Sequence, residues 1–353
     1  MKNSVYICRN GPTNETAFKN YQSYQTMKPL FLFRCIAVAA MLISIASCEK
    51  DDPKKPINDE PEKQEEQNPQ DEQNPQDGSY KNSSMKIAII NQDVYIGAVY
   101  EGASVNDLTL KAIEKAVDPI DILYTFPGSY FDTIEKPSYS SMTESLDAAL
   151  ASPTFSGKQL KNFGYDICNE FSSYSKLKLS FGADVDIAKV FDLDASANTE
   201  KIKAKTGLFA RLVQENFSIV MDYPEGNVFA NDDDYEAVAS KAPVYVNSIT
   251  YGHMAIVAIE SEASFKSLKD AFRAAVKADK IGGELNISPE NKEILKNSTI
   301  RIYICDDAKT FTGFDKFHDF IASLGEFTAE NPGRPIFFTA NRVEDDSIFW
   351  TSF

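Results

Sequence analysis

The side chains best suited to acid–base and metal chemistry are few in this sequence. It contains only two histidines, His253 and His318, in 353 residues. A histidine-based triad or a histidine-rich metal site has little material to draw on. Carboxylates are plentiful, but none stand at a spacing that indicates an acid–base pair, and Ser, His and Asp form no recognisable constellation. The sequence predicts neither an enzyme nor a bound cofactor or metal.

Thiols are the next candidates for chemistry, and the sequence has five. Cys8 and Cys35 lie before the segment that ends at Cys48. Only Cys168 and Cys305 lie in the part that patterns as folded. They allow one disulfide in an oxidising compartment, or two free buried thiols. Since nothing in the sequence brings them together, two free thiols are favoured.

The first 48 residues pattern as a targeting segment. Met27-Lys28 opens a short basic stretch that ends at Arg34, and an apolar run over residues 36–43 follows. That run is too short for an ordinary membrane-spanning helix and has the length of a signal-peptide core. Residues 1–26 are polar and look like neither signal nor domain, so Met27 is a candidate start.

Small residues lead from this run to Cys48. The segment Ser44-Ile45-Ala46-Ser47-Cys48 resembles the lipobox of bacterial lipoproteins, which implies cleavage before Cys48 and its acylation. A plain signal peptide with an incidental cysteine is the alternative. Lys50-Asp51-Asp52 resembles the surface-export signal of Bacteroidetes-type lipoproteins, and its alternative is the start of an acidic linker. Together the two resemblances imply an outer-membrane lipoprotein exposed at the cell surface.

An acidic tether, residues 49–83, separates the anchor from the folded part. It is rich in Pro, Glu, Gln, Asn and Asp, and a hexapeptide at residues 66–71 is repeated at 72–77. Such a segment cannot bury enough surface to offset its ordering entropy, so we predict a disordered spacer and a folded core over residues 84–353. The formal net charge of −16 argues against nucleic acid as a partner.

The folded part mixes strand and helix patterns, which indicates an α+β fold with a mainly antiparallel sheet. A turn at Tyr251-Gly252 would separate two buried strands. The predicted strands are 85–90, 244–246, 254–259 and 300–304. The predicted helices carry their apolar faces on Leu108 to Val117, on Phe265 to Val276 after a Ser264 cap, and on Phe314 to Ile321.

One stretch alternates with period two. Its odd positions are apolar or small: Leu177, Leu179, Phe181, Ala183, Val185 and Ile187. Residues 201–212 alternate in the same way, so the two stretches could form a two-faced hairpin joined by residues 192–200. A membrane hairpin has this pattern, with one face to lipid and one to water. A half-buried hairpin of a soluble sheet has it too, and periodicity alone favours the soluble hairpin.

Several motifs, taken in order, resemble the thiol-activated (cholesterol-dependent) cytolysins of the MACPF/CDC superfamily. The central one runs from Ala242 to a Tyr251-Gly252-His253 triplet, and a helix with an Ala271-Phe272 centre follows. The other matching stretches are 95–98, 126–128 with 137–140, and 327–336.

This resemblance implies a bent, twisted, mainly antiparallel sheet flanked by helical clusters. It also implies that two clusters refold into membrane hairpins, the first mapping to residues 173–222 and the second to 261–298. The first contains the alternating residues Leu177, Leu179, Phe181, Val185 and Ile187. The second alternates poorly and contains Pro289, which suits a permanent amphipathic helix and loop equally well.

Two departures from the family pattern stand out. The paired glycine at the bend after the second hairpin is replaced by Ile304-Cys305-Asp306-Asp307. The sequence stops at Phe353, where the membrane-binding fourth domain would begin, so its Trp-rich undecapeptide and cholesterol-reading Thr-Leu pair are not present. Cholesterol binding is therefore not carried over.

The function predicted from the sequence is a surface lipoprotein that forms pores or oligomers on membranes without its own cholesterol-binding domain. Its partners would be a membrane, further copies of itself and a second cytolysin-like subunit. The alternative is a non-lytic surface binding module that keeps the cytolysin fold.

Overall fold

The computed structural model describes residues 82–156, 163–193, 201–278, 280–281, 284–324 and 327–353. They belong to one compact unit, Gln76–Phe353. The signal segment, Cys48, Lys50-Asp51-Asp52 and the tether up to residue 81 lie outside the described residues, so lipidation, export and disorder of the tether stay predictions.

The strands are short near the chain ends and long in the middle. In chain order they are β1 (Ser83–Ser84), β2 (Ile87–Ala88), β3 (Val99–Glu101), β4 (Ile120–Tyr124), β5 (Tyr130–Ile134), β6 (Phe163–Phe171), β7 (Thr206–Met221), β8 (Pro243–Ser261), β9 (Lys280–Ile281), β10 (Glu284–Leu285), β11 (Thr299–Ile304), β12 (Lys309–Thr312), β13 (Arg334–Arg342) and β14 (Thr351–Ser352).

The helices lie mostly between these strands. They are α1 (Gly102–Val105), α2 (Tyr139–Ala151), α3 (Lys178–Phe181), α4 (Ile187–Val190), α5 (Asp232–Val238), α6 (Phe265–Lys277), α7 (Pro289–Lys296) and α8 (Phe314–Ser323), with 3₁₀ turns at Tyr174–Leu177 and Ala239–Lys241.

A ten-stranded sheet organises the described residues, and β7 and β8 form its centre. The order is β12-β11-β8-β7-β4-β5, with β6 also on β7, β3 and β13 on β8, and β2 on β13. All of these pairings are antiparallel. One half of β7 and β8 lies between β6 and β11, and the other half between β4 and β13. The predicted α+β class with a large antiparallel sheet is confirmed.

Helices cover both faces of the β6-β7-β8-β11 half of the sheet. The period of two in β7 sends Leu208, Ala210 and Leu212 to one face, where they pack with α6, α7 and α8. Phe209 and Ile256 belong to the cluster on the other face, together with the apolar side chains of residues 174–193. In this half β7 and β8 are therefore buried on both sides.

Strand β8 runs unbroken through Tyr251-Gly252, so the predicted turn there is wrong. A Cβ atom at Gly252 would lie 1.9 Å from the carbonyl oxygen of Gln214 on β7. The register between β7 and β8 shifts beside this point, between Glu215 and Phe217. The glycine marks a close approach of two backbones, which a sequence pattern does not distinguish from a turn.

The predicted helix over Leu108 to Val117 is also wrong. Leu108 and Leu110 have left-handed backbone conformations, with φ of 59° and 44°. The segment follows β3 as a loop, in which Ile113 N donates to Val99 O. The hydroxyl of Ser104 accepts from Lys111 N, which satisfies the backbone locally. The strand predicted over 85–90 is reduced to the two residues of β2.

Other predicted elements are confirmed. Helix α6 begins after Ser264, whose hydroxyl accepts from Ser267 N at 3.2 Å, and buries the predicted apolar face. Strand β11 and helix α8 lie where the alternation of isoleucines and the spacing of phenylalanines placed them. Cys168 and Cys305 are free thiols, as favoured.

Candidate functional site

Two helical segments interrupt the sheet at the same end. The first segment, residues 172–205, connects β6 to β7, and the second segment, residues 262–298, connects β8 to β11. The two segments begin or end at the same level of the sheet, because Thr206, the first residue of β7, pairs with Ser261, the last residue of β8.

Each segment joins two strands that are already antiparallel neighbours. Phe171 at the end of β6 pairs with Gly207 of β7. Glu260 near the end of β8 pairs with Thr299 at the start of β11. Four strands in the order β6-β7-β8-β11 therefore end side by side. The first segment connects the neighbours β6 and β7, and the second segment follows β8 and leads into its neighbour β11.

The alternating residues of the first segment form helices and turns rather than a strand. Leu177 closes a 3₁₀ turn, Phe181 ends α3 and Ile187 begins α4. Leu177, Phe181, Val185 and Ile187 are buried against the sheet, while Leu179 is half-buried. The strand and the two-stranded hairpin inferred from periodicity are thus not the conformation of this structure.

Local geometry and the occupied edges of β7 both disfavour a strand here. Gly182 has φ +66° and ends α3, and the Asp186 carboxylate caps α4 by accepting from Lys189 N. Both long edges of β7 are already occupied in this half of the sheet, by β6 and by β8. A strand over residues 177–187 could therefore not pair with β7 in this half of the sheet, and the helices and turns satisfy its backbone groups locally instead.

Buried Arg211 ties the first segment to the sheet. It lies on β7, and its Nε contacts both oxygens of Asp166 on β6, at 2.9 and 3.0 Å. A register shift between Tyr165 and Ile167 places Asp166 at this position. The Nη1 of Arg211 donates to the carbonyl oxygen of Ser180 in α3 at 3.0 Å. In the alternation over residues 201–212, Arg211 stands only as a polar position, and nothing local marks it as a contact to α3.

Single hydrogen bonds fasten the first segment to other parts of the chain. The Thr310 hydroxyl on β12 donates to Val190 O at 2.5 Å, and the Thr351 hydroxyl on β14 donates to Gly182 O at 2.8 Å. The Asp184 N–H donates to Asn106 O at 2.6 Å. Elements outside the segment that fix it include β7, β8, β11, β12, β14 and the loop after α1. The contacts of β8 and β11 are described below.

The second segment contains α6 and α7. Phe272 of α6 is fully buried and lies 5.9 Å from Phe317 of α8 and 5.8 Å from Tyr165 of β6, measured between ring centroids. Pro289 opens α7, where its missing N–H has no intrahelical partner to lose, after Ser288 as the cap. An amphipathic helix is thus the conformation of this segment here, and its refolding into a hairpin stays a prediction.

The motif residues Tyr251, Gly252 and His253 lie together near the middle of β8. The Tyr251 ring is buried and stacks on Phe217, with centroids 5.0 Å apart. Burial raises the pKa of Tyr251 well above its usual range. The Nδ1 atom of His253 lies 2.5 Å from Oδ2 of Asp306, in the turn that joins β11 to β12. The triplet therefore positions strands and this turn.

No group of metal ligands is assembled in the described part of the chain. Within residues 82–353, apart from the ranges that the structure does not describe, no three His, Cys, Asp or Glu side chains are grouped as metal ligands would be. Burial raises the pKa of both the Cys168 and the Cys305 thiol.

No helix in the described ranges combines the length and the hydropathy needed to cross a membrane.

Solved structures of cytolysins match this antiparallel sheet and its flanking helical segments. The crystal structure of wild-type pneumolysin matches with a TM-score of 0.63 at 22% identity, over 77% of this chain and 62% of that one. The crystal structure of listeriolysin O matches with a TM-score of 0.59 at 18% identity, over 77% and 60%. At these identities the likeness shows the fold.

The family follows from the sequence comparison. The thiol-activated cytolysin family model matches residues 75–350. Pneumolysin of Streptococcus pneumoniae is 26% identical over 295 residues, which are 76% of this chain and 61% of pneumolysin. Perfringolysin O of Clostridium perfringens is 26% identical over 252 residues, 65% of this chain and 49% of that protein. The chain belongs to the thiol-activated cytolysin family and is not an enzyme, and it spans less than two thirds of the length of these relatives.

Proposed function

We propose that this chain is a membrane-attack protein that oligomerises on a membrane and inserts its first segment as a strand hairpin, held at the bacterial surface by an acylated Cys48. The observation that carries the proposal is the placement of both helical segments between antiparallel neighbours. Strand formation by residues 172–205 would lengthen the β6–β7 ladder and leave the present pairs of that ladder intact. The same holds for residues 262–298 and the β8–β11 ladder.

The segments have enough chain for this. A membrane strand needs roughly 9–11 residues, and each half of either segment exceeds that length. In extended form the odd residues of the first segment, such as Leu177 and Leu179, would face lipid, and Lys178 would face water. The period of two does not correspond to a strand in this structure, and an inserted strand as a second conformation would explain it.

Oligomerisation is supported by the two outer strands of the same half-sheet. Within the described residues, the outer edge of β6 pairs with no strand. The outer edge of β11 is covered only by the four residues of β12. Unpaired strand edges readily accept another chain. Pairing of one edge with the opposite edge of a second copy is a head-to-tail contact, which gives a ring when the rotation between copies closes.

The anchor has its own test in the native cells. Cys48→Ala should leave the precursor uncleaved and without lipid. The Cys48 thiol is the group that would be acylated, and Cys48 would become the new N-terminus after cleavage. Replacing Lys50, Asp51 and Asp52 by alanine should preserve acylation and abolish surface exposure. Metabolic labelling with a fatty acid and protease treatment of intact cells measure the two steps. Incorporation of the labelled fatty acid into Cys48→Ala would refute acylation at Cys48. Cleavage of the Lys50, Asp51 and Asp52 alanine variant by protease on intact cells would refute the export signal.

Leu179→Arg tests the hairpin. Leu179 is half-buried in α3, so the long arginine can reach solvent in the resting fold. In an inserted strand it would face lipid at a cost of about 2–4 kcal/mol in every subunit. We expect dye release from phosphatidylcholine vesicles by the acylated full-length protein to fall at least tenfold, while the melting temperature and surface oligomers persist.

Lys178→Arg is the matched control for this experiment. It adds the same side chain one position earlier, keeps the charge, and lies on the face that would meet water. Equal release by both variants would exclude the proposed hairpin. If the unmodified protein oligomerises on vesicles but releases no dye, the chain is instead a non-lytic binding module on the cytolysin fold.

A further inference from the structure

The carboxylate of Glu260 on β8 contacts both ends of the first segment. Only 7% of this residue is exposed. Its Oε1 accepts a hydrogen bond from the Tyr174 hydroxyl at 2.5 Å. Its Oε2 accepts from the backbone N–H groups of Lys203 at 2.6 Å and Ala204 at 3.4 Å. Tyr174 lies at the start of the segment and Lys203 at its end, so one side chain closes the loop between them.

Arg301 on β11 completes the contacts of this carboxylate. Its Nη1 lies 3.3 Å from Oε1 of Glu260 and donates to the Tyr174 hydroxyl at 2.8 Å. Burial, with the hydrogen bond to Glu260, raises the pKa of Tyr174, so its hydroxyl stays protonated and donates. A buried carboxylate is costly unless charges and donors surround it, and here two of its partners belong to the first segment.

The contacts between Glu260 and the first segment are incompatible with strand formation. The β7–β8 ladder pairs Thr206 with Ser261. Continued into the segments, the same register would place Lys203 opposite Ser264, four residues beyond Glu260. At about 3.3 Å per residue this is about 13 Å along the strand. The Lys203 N–H group would then lie far from the Glu260 carboxylate.

Tyr174 would move away from Glu260 in the same way. Phe171 pairs with Gly207, so an extended β6 would place Tyr174 opposite Ala204. Tyr174 would then lie on β6, two strands away from β8, and three residues beyond the level of Glu260. In contrast, Arg301 pairs with Ala258 within the existing sheet, so the Glu260–Arg301 contact can persist. Strand formation therefore removes every bond from Glu260 to the segment and leaves its cationic partner.

We propose that Glu260 is the positioning residue that keeps the first segment closed, and that its release from Tyr174 and Lys203 limits the rate of hairpin formation. The inference rests on the refolding proposed above and adds the group that controls it. Glu260 lies next to Ser261, whose hydroxyl accepts from Ser298 at the end of the second segment at 2.9 Å. The base of the second segment thus lies directly beside the closure of the first.

Hydrogen exchange of the full-length chain without membranes tests the closure independently of any pore. Glu260→Gln keeps the shape of the side chain and removes its charge. We expect the amides of Lys203 and Ala204 to exchange about tenfold faster or more, since hydrogen bonds to charged groups contribute about 1.5–3 kcal/mol. Helix α6 and strands β7 and β8 should keep their protection. Glu262→Gln, an exposed site two residues further on, should exchange like the unmodified protein.

Dye release separates a closing role from a merely structural one. If Glu260→Gln only destabilises the protein, the variant should release less dye. If the substitution opens the first segment, the lag before dye release should be shorter than for the unmodified protein. Tyr174→Phe, which removes one donor and keeps the ring, should accelerate exchange at residues 174–177 even if Glu260→Gln folds poorly. Unchanged exchange in both variants, or faster exchange across the whole sheet, would overturn the inference. Local acceleration without any dye release would uphold the closure and count against the proposed function.

Discussion

A disulfide bond between cysteines introduced at Asn106 and Asp184 should abolish membrane permeabilisation by the oxidised protein. The Asp184 N–H donates to the Asn106 carbonyl oxygen at 2.6 Å. Backbones joined by such a bond have Cα atoms about 5–6 Å apart, within the range that a disulfide spans. Asp184 lies in the first segment, while Asn106 follows α1 outside both segments. The bond would therefore prevent residues 172–205 from leaving the sheet.

The expected effect is large because the lock is covalent. Removing a hydrogen bond changes a rate by a modest factor, whereas a disulfide forbids strand formation until it is reduced. Dye release from phosphatidylcholine vesicles should be undetectable for the oxidised double variant and should return after addition of a reductant. Vesicle binding and ring formation precede insertion in the proposed sequence of events, so both should persist in the oxidised form.

Each single cysteine variant controls for the lost side-chain contacts. The Asn106 side chain accepts from Ser352 N at 2.8 Å, and the Asp184 side chain pairs with Lys178. The single variants should release dye in both redox states. Mass spectrometry should confirm that Cys168 and Cys305 stay reduced. Full release by the oxidised double variant would show that the first segment does not need to detach, which would exclude the proposed mechanism.

The sequence allowed the class of fold to be predicted because its strongest patterns coincide with buried surfaces. Helix α6 has a serine cap and a one-sided apolar face, and both features depend on residues close in sequence. Strand β11 alternates because Ile300 and Ile302 pack against the helices on one face of the sheet. The colinear motifs then indicated the family, which the match over residues 75–350 confirms.

The first segment shows why its resting conformation could not be predicted from periodicity. A period of two at Leu177 to Ile187 is compatible with helices when the even positions are small or at turns. Ser180 and Gly182 are buried in this structure although they fall on the polar side of the pattern. The sequence thus satisfies a helical resting state and also carries the alternation that the proposed inserted strand would require. Periodicity predicts only strands and gives no sign of the helices.

The closure at Glu260 could not be predicted because it depends on long-range register. Tyr174 and Glu260 are 86 residues apart, and Lys203 contributes a backbone N–H rather than its side chain. No local pattern marks a backbone donor. Only the antiparallel pairing of β8 with both β7 and β11 brings these groups to one carboxylate.

Gly252→Ala should destabilise the folded protein by about 3 kcal/mol or more. The new Cβ atom would lie 1.9 Å from the Gln214 carbonyl oxygen and 3.1 Å from the Glu215 Cα atom, both backbone atoms of β7. Gly333 packs against the same point, since a Cβ there would lie 2.6 Å from the Gly252 carbonyl oxygen. With backbone on both sides, relief requires the two central strands to move apart, beyond the usual cost of overpacking a core.

Gly164→Ala on β6 is the matched control, because a Cβ atom there would meet no atom within 4 Å. Alanine restricts the unfolded chain more than glycine does, so this variant should melt at the same temperature or slightly higher. A loss of 3 kcal/mol should lower the melting temperature of Gly252→Ala by about 6–12 °C for a domain of this size. Thermal unfolding followed by circular dichroism measures both. Equal melting of the two variants would mean that β7 and β8 do not approach at Gly252, and the motif glycine would then mark the turn that its sequence suggests.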